Sequence, residues 1–211
     1  MKNGLQLALI RMDEIPAPGP FLSAGELEKL ATLKIEKRRH DWLGGRYAAK
    51  TLIKEILAPT TDLAAIEISY DSFGRPVWND RLLSITHSGP FCAAACGPAE
   101  TKFLGIDLEK AETRASAWYE DYFHKSELTS HNQELATRLW TQKEALLKAL
   151  GLGLKADLLD INLSGDKPGF SRTALARYIE LGSPAFALRT LTPEPGYYLS
   201  VVCEKKSYTS D

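Results

Sequence analysis

The sequence has little cysteine, almost no net charge and no long apolar run, and each shortage excludes a class of protein. The three cysteines cannot all pair, and no His/Cys cluster suggests zinc. This cysteine usage fits a reducing cytosol. The net charge of −1 gives no bulk attraction to nucleic acid or to a membrane. The apolar run within residues 1–11 is too short for a signal peptide or a membrane span. We therefore expect a cytoplasmic protein.

Hydrophobic residues are plentiful and occur in patterns typical of both helices and strands. They make up 44% of the 211 residues, enough for one large domain or two small ones. Ser23 and Glu26 predict a capping box that opens a first helix. A second helix is predicted over 42–57, where Gly44 and Gly45 indicate close packing or ligand approach, because glycine costs helix stability. Further patterns predict a helix over 115–128 and strands over 1–11, 66–70, 82–86, 91–96, 103–109, 159–163, 185–191 and 197–204.

Leucines at helical spacing predict another helix, with its end at Gly151 and its start near a capping box of Ser130 and Gln133. The predicted buried stripe consists of Leu135, Leu139, Leu146 and Leu150. On this helix Trp140, Glu144 and Lys148 stand in one row, since side chains four residues apart share a face. Alone, Glu144 and Lys148 fit a surface ion pair worth about 0.3 kcal/mol.

Two carboxylates are predicted on one face of the strand over 103–109. Because strand side chains alternate, Gly105, Asp107 and Glu109 face one way and Ile106 and Leu108 the other. The two carboxylates repel each other unless water screens them or a cation lies between them. Oxygen ligands select a hard cation, Mg²⁺ or Mn²⁺. The alternative is a solvated acidic face without a ligand.

These motifs resemble those of the 4′-phosphopantetheinyl transferases of the surfactin type. That family carries G-[IV]-D-x-E, found here at 105–109, followed by W-x-x-K-E-[AS]-x-x-K-x-x-G-x-G-[LF], found at 140–154. Upstream, Gly74-Arg75-Pro76 resembles the family's G-[KR]-P, and the segment 84–89 resembles its [NS]-[IL]-S-H-S-G. The four motifs occur in the family's order.

The resemblance implies an α+β fold of two similar halves, each a small antiparallel sheet packed on a long helix, related by a pseudo-twofold axis. We expect an N-terminal half, 1–100, that binds coenzyme A, and a C-terminal half, 101–211, with the metal site and carrier-protein contact. The implied enzyme is a monomer that uses Mg²⁺, with Mn²⁺ as an alternative. It transfers 4′-phosphopantetheine from coenzyme A to a serine of an apo acyl or peptidyl carrier protein and releases adenosine 3′,5′-bisphosphate.

The resemblance also implies roles for individual residues. Asp107, Glu109 and Glu144 are the expected metal ligands, and Glu144 is also the candidate base that takes the serine proton. Lys148 would hold the α-phosphate or balance Glu144. The expected contacts of coenzyme A are Arg39, His40, Gly74, Arg75, Pro76, Thr86, His87, Lys143 and Lys148. Arg46 competes with Arg39 and His40 for the 3′-phosphate.

Several of these residues have an ordinary structural interpretation. The basic cluster of Lys34, Lys37, Arg38, Arg39 and His40 fits a solvated helix face as well as a phosphate clamp. His87 could be a satisfied turn histidine. In the aromatic stretch 118–123, which approaches carrier and pantetheine in the family, core packing is expected for at least two side chains.

Two other functions compete with transfer. A metal-dependent phosphatase or nucleotidyl transferase would show a Gly-rich phosphate loop or extra metal carboxylates, and neither stands out. A catalytically weak or inactive protein that binds carrier protein or coenzyme A would be favoured by loss of Asp107, Glu109, Glu144 or Lys148, and all four are present.

Overall fold

Two compact units, Met1–Thr101 and Lys102–Asp211, make up the chain. The computed structural model describes residues 4–56 and 58–205. Residues 1–3 of the predicted first strand and Leu57 of the predicted second helix lie outside this part. Within the described ranges, no helix combines the length and the apolar character needed to cross a bilayer.

The first unit contains a five-stranded antiparallel sheet in the order β1-β5-β4-β3-β2. Its strands are β1 Gln6–Arg11, β2 Ser69–Tyr70, β3 Pro76–Trp78, β4 Arg81–Ser88 and β5 Phe91–Cys96. Its helices are α1 Ala24–Thr32 and α2 Glu36–Ile56. The predicted capping box is confirmed, because Ser23 and Glu26 exchange side-chain and backbone hydrogen bonds at the start of α1. Helix α2 begins six residues earlier than position 42, so the basic residues 37–40 lie within its first turns.

Small residues bring α2 close to the sheet. Its face of Ala48, Ala49, Leu52 and Ile53 packs in one cluster with Cys92, Ala94 and Cys96 of β5. A Cβ added at Gly44 would lie 2.3 Å from Cys92 Sγ and 2.4 Å from Met12 Sδ, and one at Gly45 would lie 2.7 Å from Ile85 Cγ2. These two glycines therefore serve close packing.

The second unit contains a three-stranded antiparallel sheet in the order β6-β10-β9 and a separate pair, β7-β8. Its strands are β6 Leu104–Lys110, β7 Ile161–Asn162, β8 Gly169–Phe170, β9 Phe186–Leu191 and β10 Tyr197–Glu204. Its helices are α3 Ser116–Tyr122, α4 Gln133–Ala149 and α5 Arg172–Glu180. The apolar face of α4, with Ala145, Leu146, Ala149 and Leu150 fully buried, covers the core of this unit.

Gly151 ends α4 as predicted. Its φ is +71°, its N–H donates to Lys148 O at 3.0 Å, and the N–H of Leu152 donates to Leu147 O at 2.9 Å. This is the Schellman arrangement, which satisfies the last carbonyls of the helix. The predicted start is wrong: Asn132, not Ser130, is the N-cap, and its side chain accepts from Leu135 N. Leu135 is also wrong as a buried residue, since it is 40% exposed in the first turn.

The predicted α+β class is confirmed, with a long helix on a small antiparallel sheet in each half. Several predicted elements are shorter than expected. The strand over 159–163 is reduced to Ile161–Asn162, because Leu158–Asp160 forms a 3₁₀ turn, and the strand over 1–11 begins at Gln6 within the described residues. The helix over 115–128 ends at Tyr122, where Phe123 turns to extended backbone. The strand over 66–70 is reduced to Ser69–Tyr70, because Leu63–Ala65 forms a 3₁₀ turn that leads into buried Ile66.

Candidate active site

The face of β6 that carries Gly105, Asp107 and Glu109 meets helix α4. A Cβ added at Gly105 would lie 1.9 Å from Ala145 O and 2.7 Å from Ala149 N, so the helix backbone rests directly on this glycine. Ile106 and Leu108, on the opposite face, are fully buried. The alternation predicted from the sequence is therefore correct, and it places Asp107 and Glu109 on the face of β6 that packs against α4.

Asp107 lies beside two residues of α4 that are one helical turn apart. Lys148 Nζ donates to Asp107 Oδ1 at 2.7 Å and to Ile106 O at 3.0 Å. Glu144 is 8% exposed. Burial raises the pKa of Glu144, the charge of Asp107 raises it further, and Lys148 partly offsets both effects. The interpretation of Glu144 and Lys148 as an ordinary surface pair is wrong, because Glu144 is buried and Lys148 binds Asp107.

Glu109 lies further along the strand, at a cavity of about 220 Å³. The cavity is lined by Glu109, Arg114, Trp118, Thr137 and Trp140. Trp118 stacks on Trp140 with ring centroids 5.2 Å apart, and the Arg114 guanidinium lies 5.5 Å from the Trp118 ring. The site thus continues from the carboxylates into an aromatic recess.

Core packing accounts for two of the aromatic side chains in the stretch 118–123, as predicted. Tyr119 is 7% exposed and Phe123 is 5% exposed, and both belong to a cluster with Ala136 and Leu139 of α4. Trp118 is only partly buried and remains available to the cavity.

The two converging carboxylates fit a divalent cation by their chemistry. Burial raises the pKa of Glu144, and the charge of Asp107 raises it further, so the two carboxylates lie close enough to repel each other. A hard cation bound by carboxylate oxygens would relieve that repulsion. In the part of the chain that the structure describes, no three His, Cys, Asp or Glu side chains are gathered as a ready ligand set.

Lys143 lies away from these groups and is fully buried. Its ammonium donates to Glu127 Oε2 at 2.7 Å and to Tyr122 O at 3.0 Å. Burial lowers the pKa of Lys143, and the carboxylate of Glu127 opposes this. The predicted phosphate contact of Lys143 finds no support in this placement, which is that of a packing residue.

In the first unit, the Gly74-Arg75-Pro76 motif lies in a tight turn built around Asp71. Asp71 Oδ1 accepts from the N–H groups of Phe73 and Arg75, and Asp71 Oδ2 accepts from Arg75 Nε at 2.8 Å. Gly74 has φ +83°, which favours glycine. Pro76 then begins β3. The turn holds the half-buried Arg75 side chain in a defined direction.

His87 and the basic start of α2 meet at Asp41. His87 Nδ1 lies 3.6 Å from Asp41 Oδ1, and Lys37 Nζ donates to Asp41 Oδ2 at 2.7 Å. His40 is exposed, and Arg39 donates to Leu30 O at 3.2 Å. His87 lies within β4 beside the buried Thr86, so it is not a turn histidine, and its side chain is 43% exposed. The structure therefore brings His87 to the helix that carries the basic cluster.

Arg46, the competitor for the phosphate, is only 4% exposed. Its guanidinium lies between the rings of Trp42 and Tyr70, at 5.1 and 5.2 Å, and donates to Tyr70 Oη at 2.7 Å. Glu26 Oε1 lies 3.7 Å from Arg46 Nε and Glu26 also pairs with the buried ammonium of Lys50. Arg46 and Lys50 thus place two cations around one carboxylate.

Glu127 is the main residue near the site that the sequence did not indicate. It lies at the end of the helix predicted over 115–128, which in the structure stops at Tyr122, and its partner Lys143 is 16 positions away. Arg114 and Thr137, which line the cavity, also lack a distinctive sequence pattern. Only the positions of Lys143 and Glu144 side by side could have hinted that one of them turns away from the site.

Two family models match the chain. The model described as the 4′-phosphopantetheinyl transferase superfamily matches residues 103–194, and that of the 4′-phosphopantetheinyl transferase N-terminal domain matches residues 26–97. The chain is 28% identical over 189 residues to 4′-phosphopantetheinyl transferase HetI of Nostoc sp., covering 82% of this chain and 74% of that relative. It is 29% identical over 157 residues to a 4′-phosphopantetheinyl transferase of Bacillus subtilis, covering 65% and 69%.

Solved structures show weaker similarity. The holo-[acyl-carrier-protein] synthase of Neisseria meningitidis is 20% identical, with a TM-score of 0.41 over 50% of this chain and 99% of that one. The synthase of Thermotoga maritima is 17% identical, with a TM-score of 0.39 over 59% and 76%. The two family matches together span most of the sequence, and the chain belongs to the 4′-phosphopantetheinyl transferase superfamily.

Proposed function

We propose that this chain transfers the 4′-phosphopantetheine group of coenzyme A to a serine hydroxyl of an apo acyl or peptidyl carrier protein. The observation that supports this most is the convergence of Asp107, Glu144 and Lys148 between β6 and α4. In this reaction the serine oxygen forms a bond to the phosphorus that bears pantetheine. The bond from that phosphorus to the bridging oxygen breaks, and adenosine 3′,5′-bisphosphate leaves.

Asp107, Glu109 and Glu144 are the proposed ligands of Mg²⁺, with Mn²⁺ as an alternative. A divalent cation would neutralise charge on the diphosphate and on the leaving phosphate. The carboxylates of Asp107 and Glu144 already repel each other, as the raised pKa of Glu144 indicates beyond the effect of its burial. This repulsion supports a cation between them.

Glu144 and Lys148 supply the proton acceptor and a positive charge. A serine hydroxyl is a weak nucleophile, so its proton must be taken as it attacks. Glu144 would accept it directly or through a water, and its place beside Asp107 puts it next to the proposed cation. The Lys148 ammonium has three N–H groups, and two of them donate to Asp107 Oδ1 and Ile106 O. The third would donate to a phosphate oxygen.

The first unit supplies the proposed contacts to coenzyme A. His87 and the basic residues Arg39 and His40 would bind phosphate, with Arg46 as the competitor. The Gly74-Arg75-Pro76 turn would lie near the adenosine, with Thr86 beside His87. The exposed His87 and the rigid Asp71-centred turn support these assignments. Function as a cytoplasmic monomer stays a prediction.

Intact mass spectrometry of the carrier tests the proposal. The purified chain is incubated with coenzyme A, Mg²⁺ and an apo carrier protein, and the expected result is a mass gain of one phosphopantetheine on the carrier. An identical reaction with excess chelator should show no gain; unchanged turnover there would contradict the proposed ligands. A panel of apo carriers then shows which class is served.

The alternative is a protein that binds coenzyme A or carrier without efficient transfer. It predicts calorimetric binding of either partner with no mass change over the panel. The intact set of Asp107, Glu109, Glu144 and Lys148 favours transfer over this alternative.

A further inference from the structure

The carboxylate of Glu127 joins three segments of the second unit. Glu127 Oε2 accepts from Lys143 Nζ at 2.7 Å and from the backbone N–H of His124 at 2.8 Å. Glu127 Oε1 accepts from the backbone N–H of Leu163 at 2.7 Å. The side chains of Glu127 and Lys143 are both 0% exposed. One buried carboxylate therefore holds α4, the segment after α3 and the segment after β7 together.

Lys143 extends this link to the end of α3. Its ammonium also donates to Tyr122 O, the last residue of α3, and lies 5.2 Å from the Phe123 ring centroid. A buried ammonium needs such partners, because an uncompensated charge inside a protein is costly. The pair thus fixes the spacing between the end of α3 and the middle of α4.

This spacing bears on the site because Glu144 follows Lys143 on α4. Successive side chains on an α-helix point about 100° apart. With Lys143 anchored to Glu127, Glu144 is directed towards Asp107 on the adjacent face of the helix. Helix α3 also carries Trp118, which stacks on Trp140 and lines the cavity beside Glu109. Both walls of the candidate site therefore depend on the same buried pair.

We propose that Glu127 is a positioning residue for transfer, acting through Lys143 to hold Glu144 and the Trp118 wall in place. This inference rests on the proposed function. Glu127 touches no reacting group, so its loss should lower the rate of the chemical step rather than the affinity for coenzyme A. A purely structural pair would instead change only the fraction of folded protein.

Steady-state kinetics of Glu127→Gln against wild type separates these possibilities. We expect kcat to fall about 10- to 100-fold, as for other residues that orient a ligand or base, while KM for coenzyme A stays within about twofold. The matched control is Asp160→Asn. Asp160 is a buried carboxylate of the same unit that pairs with Arg172 and accepts from Ala174 N, both of which belong to α5. It should lower the melting temperature while kcat of the folded protein stays within about twofold.

The double variant Glu127→Leu/Lys143→Met provides a second test that does not need the single variant to fold. Replacing both members of a buried pair with apolar residues often restores stability, but the hydrogen bonds to Leu163, His124 and Tyr122 are still lost. We expect a recovered melting temperature with kcat still reduced about tenfold or more. If the double variant recovered both its melting temperature and its kcat, the positioning role would be overturned.

Failure of the proposed function and failure of the positioning role give different results. A wild-type chain that modifies no carrier in the panel would remove the proposed function and this inference with it. Wild-type transfer together with an unchanged kcat in folded Glu127→Gln would overturn the positioning role alone.

Discussion

The two long helices, α2 and α4, pack on their sheets in a similar way but differ in the charged groups that surround them. Each lies on an antiparallel sheet, and each carries a fully buried lysine paired with a glutamate that precedes the helix: Lys50 with Glu26, and Lys143 with Glu127. Burial lowers the pKa of both lysines, and their glutamates oppose this. The scaffold of the two halves is thus similar down to its buried ion pairs.

The difference lies in what is added to each pair. On α2, Arg46 joins Lys50 around Glu26, so two cations face one carboxylate. On α4, Glu144 comes close to Asp107, with Lys148 as the ammonium that binds Asp107. The two helices therefore differ in the charge around their buried pairs, although both pack on an antiparallel sheet.

Removing Glu144 should separate activity from folding most clearly. We expect Glu144→Ala to lower kcat by about 10³-fold, since it removes the proposed base and metal ligand. Its stability should hold or rise, because a buried carboxylate beside Asp107 is lost. The intact mass of the carrier and a thermal melt measure both. A full mass gain with this variant would remove Glu144 from the mechanism.

Removing Glu26 should lower the stability of the protein and leave its activity nearly unchanged, the reverse of Glu144→Ala. Glu26→Gln leaves Arg46 and Lys50 buried without their carboxylate, and breaking such a pair costs about 3 to 5 kcal/mol of unfolding free energy. Chemical denaturation measures the loss. The kcat of the folded protein should change little, because Glu26 pairs with Arg46 and Lys50 and not with the proposed base or metal ligands. An unchanged unfolding free energy would show that this cluster does not stabilise α2.

The glycines at the two helix–sheet contacts should respond unequally to alanine. Gly105→Ala puts a methyl group against the backbone of α4, which cannot rotate away, so a loss of about 3 kcal/mol or more is expected. Gly44→Ala meets the flexible end of Met12 and the thiol of Cys92, and alanine gains about 1 kcal/mol of helix propensity. Urea denaturation of both variants compares them. Equal losses would contradict the direct contact of α4 with β6.

The buried thiols offer a smaller test. Burial raises the pKa of Cys92 to about 12, so almost no thiolate exists at pH 8. Cys203, on β10, is less buried, although burial raises its pKa too. A disulfide reagent should therefore modify Cys203 first and Cys92 only on unfolding. Peptide mapping after timed exposure measures the order, and early labelling of Cys92 would show that the first unit opens readily.

The smallest expected effect is a difference in acid response between the units. Burial works against ionisation of Asp71, but the N–H and guanidinium of Arg75 outweigh it and lower the pKa of Asp71. The stabilisation that ionised Asp71 contributes is therefore present above about pH 4, and it is lost as the pH falls through the lowered pKa. The pKa of Glu144 is raised by burial and by Asp107, so in metal-free protein its contribution has the opposite sign, present at low pH and lost as pH rises through the raised pKa.

Asp71→Asn measures the first of these contributions. This substitution should lower the unfolding free energy by at most about 1 kcal/mol at pH 7, because Asp71 and Arg75 are partly exposed. The loss should be smaller at pH 3, where Asp71 is closer to being protonated. Unfolding curves at the two pH values give the difference. A loss that grows towards pH 3 would have the wrong sign.

Local signals predicted the parts of the fold whose geometry is local. Ser23 with Glu26 marked the start of α1, Gly151 marked the end of α4, and the alternation from Gly105 to Glu109 gave the correct face of β6. Each depends on residues within a few positions of one another. The start of α2 was missed because its first turns, 36–40, are charged and show no apolar periodicity.

Features that depend on distant partners were not predictable in this way. Ser130 and Asn132 are both good capping residues, and only the path of the preceding loop selects Asn132. Lys143 stands beside Glu144 in the motif, yet its ammonium pairs with Glu127 and not with Asp107. The sequence therefore predicts which residues gather at α4 better than it predicts where each one points.

The stacked indoles of Trp118 and Trp140 also make the second unit optically distinctive. Two such chromophores at 5.2 Å couple their electronic transitions and should give a split circular-dichroism band in the ultraviolet. Trp42 and Trp78 belong to the first unit, so loss of that band on mixing with a carrier protein would signal movement of α3 against α4 in real time, without any added label.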